Sequence, residues 1–117
     1  MSESVTIIKF RGQSGKEYSY ECHHMGEHFK TSPGNYIFAK KVQSTGFIPV
    51  HIGHTSDMSD HFYSQCRSMP CIYHEGAHYV CVHYNHDTEV DREAEAWDLM
   101  EHWRPQCNVE TRIKAKV

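Results

Sequence analysis

The stretch from residue 36 to residue 62, "YIFAKKVQSTGFIPVHIGHTSDMSDHF", decides how this chain folds. "NYIFAKK" (35–41) is an apolar and aromatic run that ends in a basic pair, "VQSTG" turns the chain, and "FIPVHIG" (47–53) is a second apolar run. Two such runs bounded by turn residues read as neighbouring strands. Pro49 cannot donate to a ladder, which places the second run at a sheet edge or a strand start, and Gly53 closes it. Thr55, Ser56 and Asp57 are good N-caps, and Met58, Phe62 and Cys66 recur at fourfold spacing, so a helix is predicted near 56–66.

Toward the N-terminus, "VTIIKF", the turn residues of "RGQSGK" and the alternating "EYSYEC" predict a β-hairpin over 4–23, followed by a loop containing Gly26, Pro33 and Gly34. Toward the C-terminus, "SMPCIYHEGA" reads as a loop. "HYVCVHY" reads as a strand with Val80, Val82 and Tyr84 on its apolar face and Tyr79, Cys81 and His83 on the other. "NHDTEVDREAEAWDLMEHW" is the strongest helix signal: Asp87 or Thr88 can cap it, Ala96, Trp97, Met100 and Trp103 form an apolar stripe, and Pro105 stops it. "ETRIKAKV" is a last short strand or a tail. The order of elements predicts an α+β fold in one domain over 1–117, with a central, mainly antiparallel sheet flanked by helices.

At 117 residues, with 38% apolar and 12% aromatic residues, the chain has room for one core and too many core formers to stay disordered. A formal charge of −3 supplies no basic field of the kind a general nucleic-acid coat needs. "MSESVTIIKF" lacks a basic segment leading into a long apolar one, and no run approaches the roughly 18 apolar residues of a membrane helix. A soluble, cytoplasmic protein is expected. Its five cysteines, an odd number in a chain of this size, are expected to be reduced thiols.

Gly34-Asn35-Tyr36 followed by Ile37-Phe38, then His51-Ile52-Gly53 followed by "HTSDM", resembles the paired motif of the GIY-YIG nuclease domain. "REAEAWDLMEHWRPQCN" is similar to that family's later helix with its closing proline and asparagine, and "EGAHYVCVHY" to the connecting strand of its small stand-alone members. The resemblance runs from about Pro33 to Asn108, leaving the N-terminal hairpin as an extension. It implies an active site of two tyrosines, an arginine on the first helix, a metal-binding glutamate on the later helix and a final asparagine. Tyr36 matches the first tyrosine and Asn108 the asparagine, whereas His51 stands at the second tyrosine, His61 at the arginine and Ala96 at the metal glutamate.

Those departures have direct chemical consequences. Phosphodiester hydrolysis needs a cation, a base for water and positive charge against the developing phosphorane. Alanine ligates nothing, and histidine for arginine exchanges a permanent five-donor fork for a smaller group that is mainly neutral at pH 7. Glu95 sits next to Ala96 but about 100° around the helix, and Glu93 lies three residues back on the same face. The remnant cleft of Tyr36, His51, His61 and Asn108 is therefore expected to be inactive and without a cofactor. The chain would be a binding or regulatory protein for a protein or nucleic-acid partner. The alternative is an active endonuclease using Mg or Mn, its site rebuilt with Glu93 or Glu95.

Eleven histidines raise a weaker zinc reading. Cys66, Cys71, His74 and His78 have a finger-like order, but the spacing is cramped for a tetrahedral site. Cys22 with His23, His24 and His28 is a weaker set still. Tyr18, Tyr20 and Trp103 could serve an interface or the core.

Overall fold

The computed structural model describes residues 6–43, 46–59, 63 and 66–108. Strands β1 (Thr6–Arg11), β2 (Glu17–His24), β3 (Gly34–Val42) and β4 (Gly46–Thr55) are followed by helix α1 (Met69–His74). Strand β5 (Tyr79–Tyr84), helix α2 (Glu89–Trp103) and a 3-10 turn (Gln106–Asn108) complete the order. The strands form one five-stranded antiparallel sheet in the order β1-β2-β5-β3-β4, giving the α+β architecture with an antiparallel sheet. None of the described helices is long and apolar enough to cross a membrane.

Strand β5 lies between β2 and β3 in the sheet, and a core packs on each of its two faces. Val80 and Val82 enter one core with Phe38, Val50, Met58, Met69 and Ile72. Cys81, expected on the less apolar face, is equally buried, in a second core with Phe10, Tyr20, Ile37, Ile52 and Leu99. A central strand with packing on both sides needs no polar face. Tyr20 is thus a core residue, and Trp103 is half-buried with its Nε1 donating to Arg11 O (2.9 Å).

Helix α2 covers the second core. Thr88 caps it, its hydroxyl accepting from Asp91 N (3.2 Å), and Arg104 ends it in the left-handed region with φ 47° ahead of Pro105. The buried stripe is Arg92, Glu95, Ala96, Leu99 and Met100, so Leu99 and Glu95 replace Trp97 and Trp103 in the expected set. Side chains three and four residues apart share a face, and the 95/96/99/100 set keeps that period better than one running through 97.

Two sequence expectations are corrected. "MPCIYH" is helix α1 and not loop, with Pro70 in the first turn, where its missing N–H costs no hydrogen bond. Cys71 in that helix is disulfide-bonded to Cys107 in the 3-10 turn, Cα to Cα 5.7 Å, so two of the five cysteines are not reduced thiols. This bond and the burial of Met69 and Ile72 hold a helix too short to persist alone. In the expected helix near 56–66, residues 56–59 make a turn. There Thr55 Oγ1 accepts from Asp57 N (3.2 Å), and Asp57 Oδ1 accepts from Ser59 N (2.9 Å) and Oγ (2.6 Å). Residues 60–62 and 64–65 of that segment, and the 110–117 tail or strand, lie outside the described residues.

Candidate functional site

A β-bulge positions the first pair of side chains. Phe38 pairs with His51 but Ala39 pairs with Pro49, so Val50 is the extra residue on edge strand β4. Proline is tolerated there because an edge strand can spare an N–H. The bulge turns both Val50 and His51 toward the face that carries Tyr36 and Phe38. Tyr36 and His51 then stack, ring centroids 6.1 Å apart and planes within 20°.

Gly53 lies directly opposite Tyr36, and its lack of a side chain is what admits the ring. A Cβ there would stand 2.5 Å from Tyr36 Oη and 2.6 Å from Cζ. Burial pushes the Tyr36 phenol above its ordinary range, so it remains a neutral hydroxyl at physiological pH. Burial also pushes His51 down to about 4, leaving a neutral imidazole whose buried Nδ1 has no hydrogen-bond partner among the described residues.

Asn108 arrives from the other side of the β4 edge. Its Oδ1 accepts from Ile52 N (2.8 Å) and its Nδ2 donates to Ile52 O (3.0 Å), so one side-chain amide pairs with the strand as a neighbouring backbone would. Both polar atoms of Asn108 are committed to this pairing. A cleft of about 260 Å³ opens between this edge and α2, lined by Tyr36, His51, Glu93, Ala96, Trp97 and Asn108 among others. His61 lies outside the described residues. Of the carboxylates named from sequence, only Glu93 reaches this cleft, and it is exposed at the rim.

Glu95 points away from that cleft. It is 5% exposed and accepts from Tyr20 Oη (2.6 Å) and His83 Nδ1 (2.9 Å), with Asn85 Nδ2 at 3.4 Å. Glu95, His83 and Asn85, with Ser14, Tyr18 and Asp98, border an open cleft of about 1000 Å³ on the β2–β5 side of α2. The hydrogen bond to Glu95 raises His83 above its ordinary value, against the lowering effect of burial. Desolvation, then hydrogen bonding and the charge of Asp98, raise Tyr18, whose Oη donates to Asp98 Oδ2 (2.8 Å). The imidazole–carboxylate pair was not read from sequence. Its only signal was His83 sharing a strand face with Cys81, and a partner 12 residues away on a helix leaves no local pattern.

The metal-binding sets do not assemble. Cys71 is occupied by its disulfide, and His23 is held between Glu27 (3.1 Å) and Glu21 (3.4 Å). Among the described residues no three His, Cys, Asp or Glu side chains are grouped as ligands. No protein-family model, curated protein or solved structure matches the chain.

Proposed function

We propose that this protein is a degenerate GIY-YIG nuclease-like domain, extended by an N-terminal hairpin, that acts as a binding or regulatory protein through the Tyr36–His51 cleft. The observation that carries the reading is the side chain α2 presents to that cleft: Ala96, with the neighbouring Glu95 turned into the Tyr20–His83 network. The donor set does not fit a divalent cation, which takes several oxygen ligands, whereas the described lining offers one carboxylate at the rim. A neutral His51 and a neutral Tyr36 offer neutral hydrogen-bonding groups and ring surface to a partner, and no fixed positive charge to a phosphate.

The alternative, an active metal-dependent DNA endonuclease, draws on Glu93, which does line the cleft. Glu95 would have to abandon two hydrogen bonds in a buried setting to contribute. The deciding experiment incubates purified full-length protein with duplex, single-stranded and branched DNA in magnesium or manganese. No cleavage above a mock preparation is expected. Metal-dependent nicking that disappears in Glu93→Gln would replace the binding reading with the enzymatic one.

A further inference from the structure

Two of the three free cysteines face each other across the sheet. Cys22 on β2 and Cys81 on β5 are directly opposite in the antiparallel register, so their side chains leave the same face. Opposed Cα atoms in such a ladder lie about 4.5–5.5 Å apart. Disulfide-bonded cysteines occupy a window of about 4.4–6.8 Å, and opposed strand positions fall within it. Cys81 is fully buried in the second core, and Cys22 packs against that core while keeping partial exposure. A reachable thiol with a second thiol behind it is the arrangement of cysteines that respond to oxidants.

We propose that Cys22 is a site of oxidation by hydroperoxides and that Cys81 resolves the product into an intramolecular disulfide joining β2 to β5. The Cys22 thiolate attacks one peroxide oxygen; the O–O bond breaks, a sulfenic acid forms at Cys22, and the other oxygen leaves as water or an alcohol after taking up a proton. The Cys81 sulfur then attacks the Cys22 sulfur; the S–O bond breaks and water leaves. Two thiols lose two electrons in all, and the peroxide gains them.

The difference in exposure favours this division of labour, Cys22 being partly exposed and Cys81 buried. Hydrogen bonding with Cys81 holds Cys22 below the ordinary thiol range, burial opposes this, and the charge of Lys41 adds to the lowering. The same hydrogen bond, with burial and the Cys22 charge, holds Cys81 well above that range. Conversion of Cys22 to a neutral sulfenic acid removes the thiolate behind two of those three causes, so Cys81 becomes easier to ionise at the step that needs it. Cys66, raised by burial and packed against the other core, is the internal control. The consequence is structural: the β1–β2 pair joins the rest of the sheet through the Glu21–His24 register with β5, and the new bond would staple that junction.

The test treats full-length protein, without reductant, with graded hydrogen peroxide, then alkylates it under denaturing conditions and maps unreduced peptides by mass. A linked Cys22–Cys81 peptide pair, lighter by two hydrogen atoms, should appear before Cys66 is modified. Under native conditions iodoacetamide should label Cys22 roughly tenfold faster than Cys66. Cys81→Ala should halt at a sulfenic acid on Cys22 that dimedone traps, and Cys22→Ala should leave Cys81 reduced. The wild-type map requires no variant to fold. Modification of Cys66 first, or a Cys22 disulfide between two copies of the chain with Cys81 still alkylated, would overturn the proposal.

Discussion

Replacement of Asn108 by Ala should be among the most damaging single changes to this protein, although Asn108 lies beside the cleft. Among the described residues strand β4 is last in the sheet order, and no described strand neighbours the outward N–H and C=O of Ile52. The Asn108 amide supplies both partners, at 2.8 and 3.0 Å, with Asn108 3% and Ile52 1% exposed. Two hydrogen bonds contribute about 1 kcal/mol each, and a buried backbone group left unpaired costs about 1–3 kcal/mol. Water entering the vacated space offsets part of this, so about 2–4 kcal/mol should be lost. With a urea slope of about 2 kcal/mol/M, mid-range for a small protein, the midpoint should fall by roughly 1–2 M. The assay is urea unfolding followed by fluorescence of Trp97 and Trp103, both carried by α2. Asn108→Asp is the sharper variant. Its carboxylate still accepts from Ile52 N but presents no donor to Ile52 O, so it should be destabilised at neutral pH and partly recover as acid protonates it. A loss below about 0.5 kcal/mol in the Ala variant, or an Asp variant as stable as wild type at pH 7, would refute the pairing as the role of this residue.

The Gly53→Ala change should displace the Tyr36 ring and cost about 1–3 kcal/mol through overpacking, and the cost should shrink in a Tyr36→Ala background, measured as a double-mutant cycle. His51 and His83 should titrate on opposite sides of the ordinary histidine value in NMR spectra, His51 near 4 and His83 above its usual range. In stability terms the His51 contribution is complete above about pH 6.5 and is lost as pH falls toward its folded value, while the His83 contribution is complete below about pH 6.5 and is lost as pH rises through its folded value. His51→Phe should flatten the acid limb and Glu95→Gln the other, read from unfolding midpoints against pH. Reduction of the Cys71–Cys107 bond, which spans a sequence separation of 36, should lower stability by about 3–4 kcal/mol, seen as a fall in Tm with reductant that Cys71→Ala/Cys107→Ala reproduces.

The strands and the long helix were legible from local residue order because their signals are local: β-branched and aromatic runs between turn residues, a cap at Asp87 or Thr88, and a Pro105 stop. Pro49 left a sheet edge or a strand start open, and among the described residues β4 is an edge, where a missing donor is tolerated because no ladder needs it. The alternation of β5 misled, because burial on both faces depends on what packs above and below the sheet, a fact of tertiary structure. Short helix α1 was missed for a related reason: its two buried residues and its disulfide partner 36 positions away supply what six residues cannot.

At the candidate site, sequence alone determined which residue types were available: a tyrosine and a histidine on adjoining strands, and an alanine with two nearby glutamates on one helix. The helical period also forecast that Glu95 would diverge from Ala96, because successive side chains are rotated by a fixed angle. Only the tertiary structure decided where Glu95 went, since Tyr20 and His83 lie 75 and 12 residues away. It likewise decided that Asn108 spends both polar atoms on Ile52, and that Cys22 faces Cys81. Such pairings are set by sheet register and helix docking, which bring together groups whose separation along the chain carries no record of their contact.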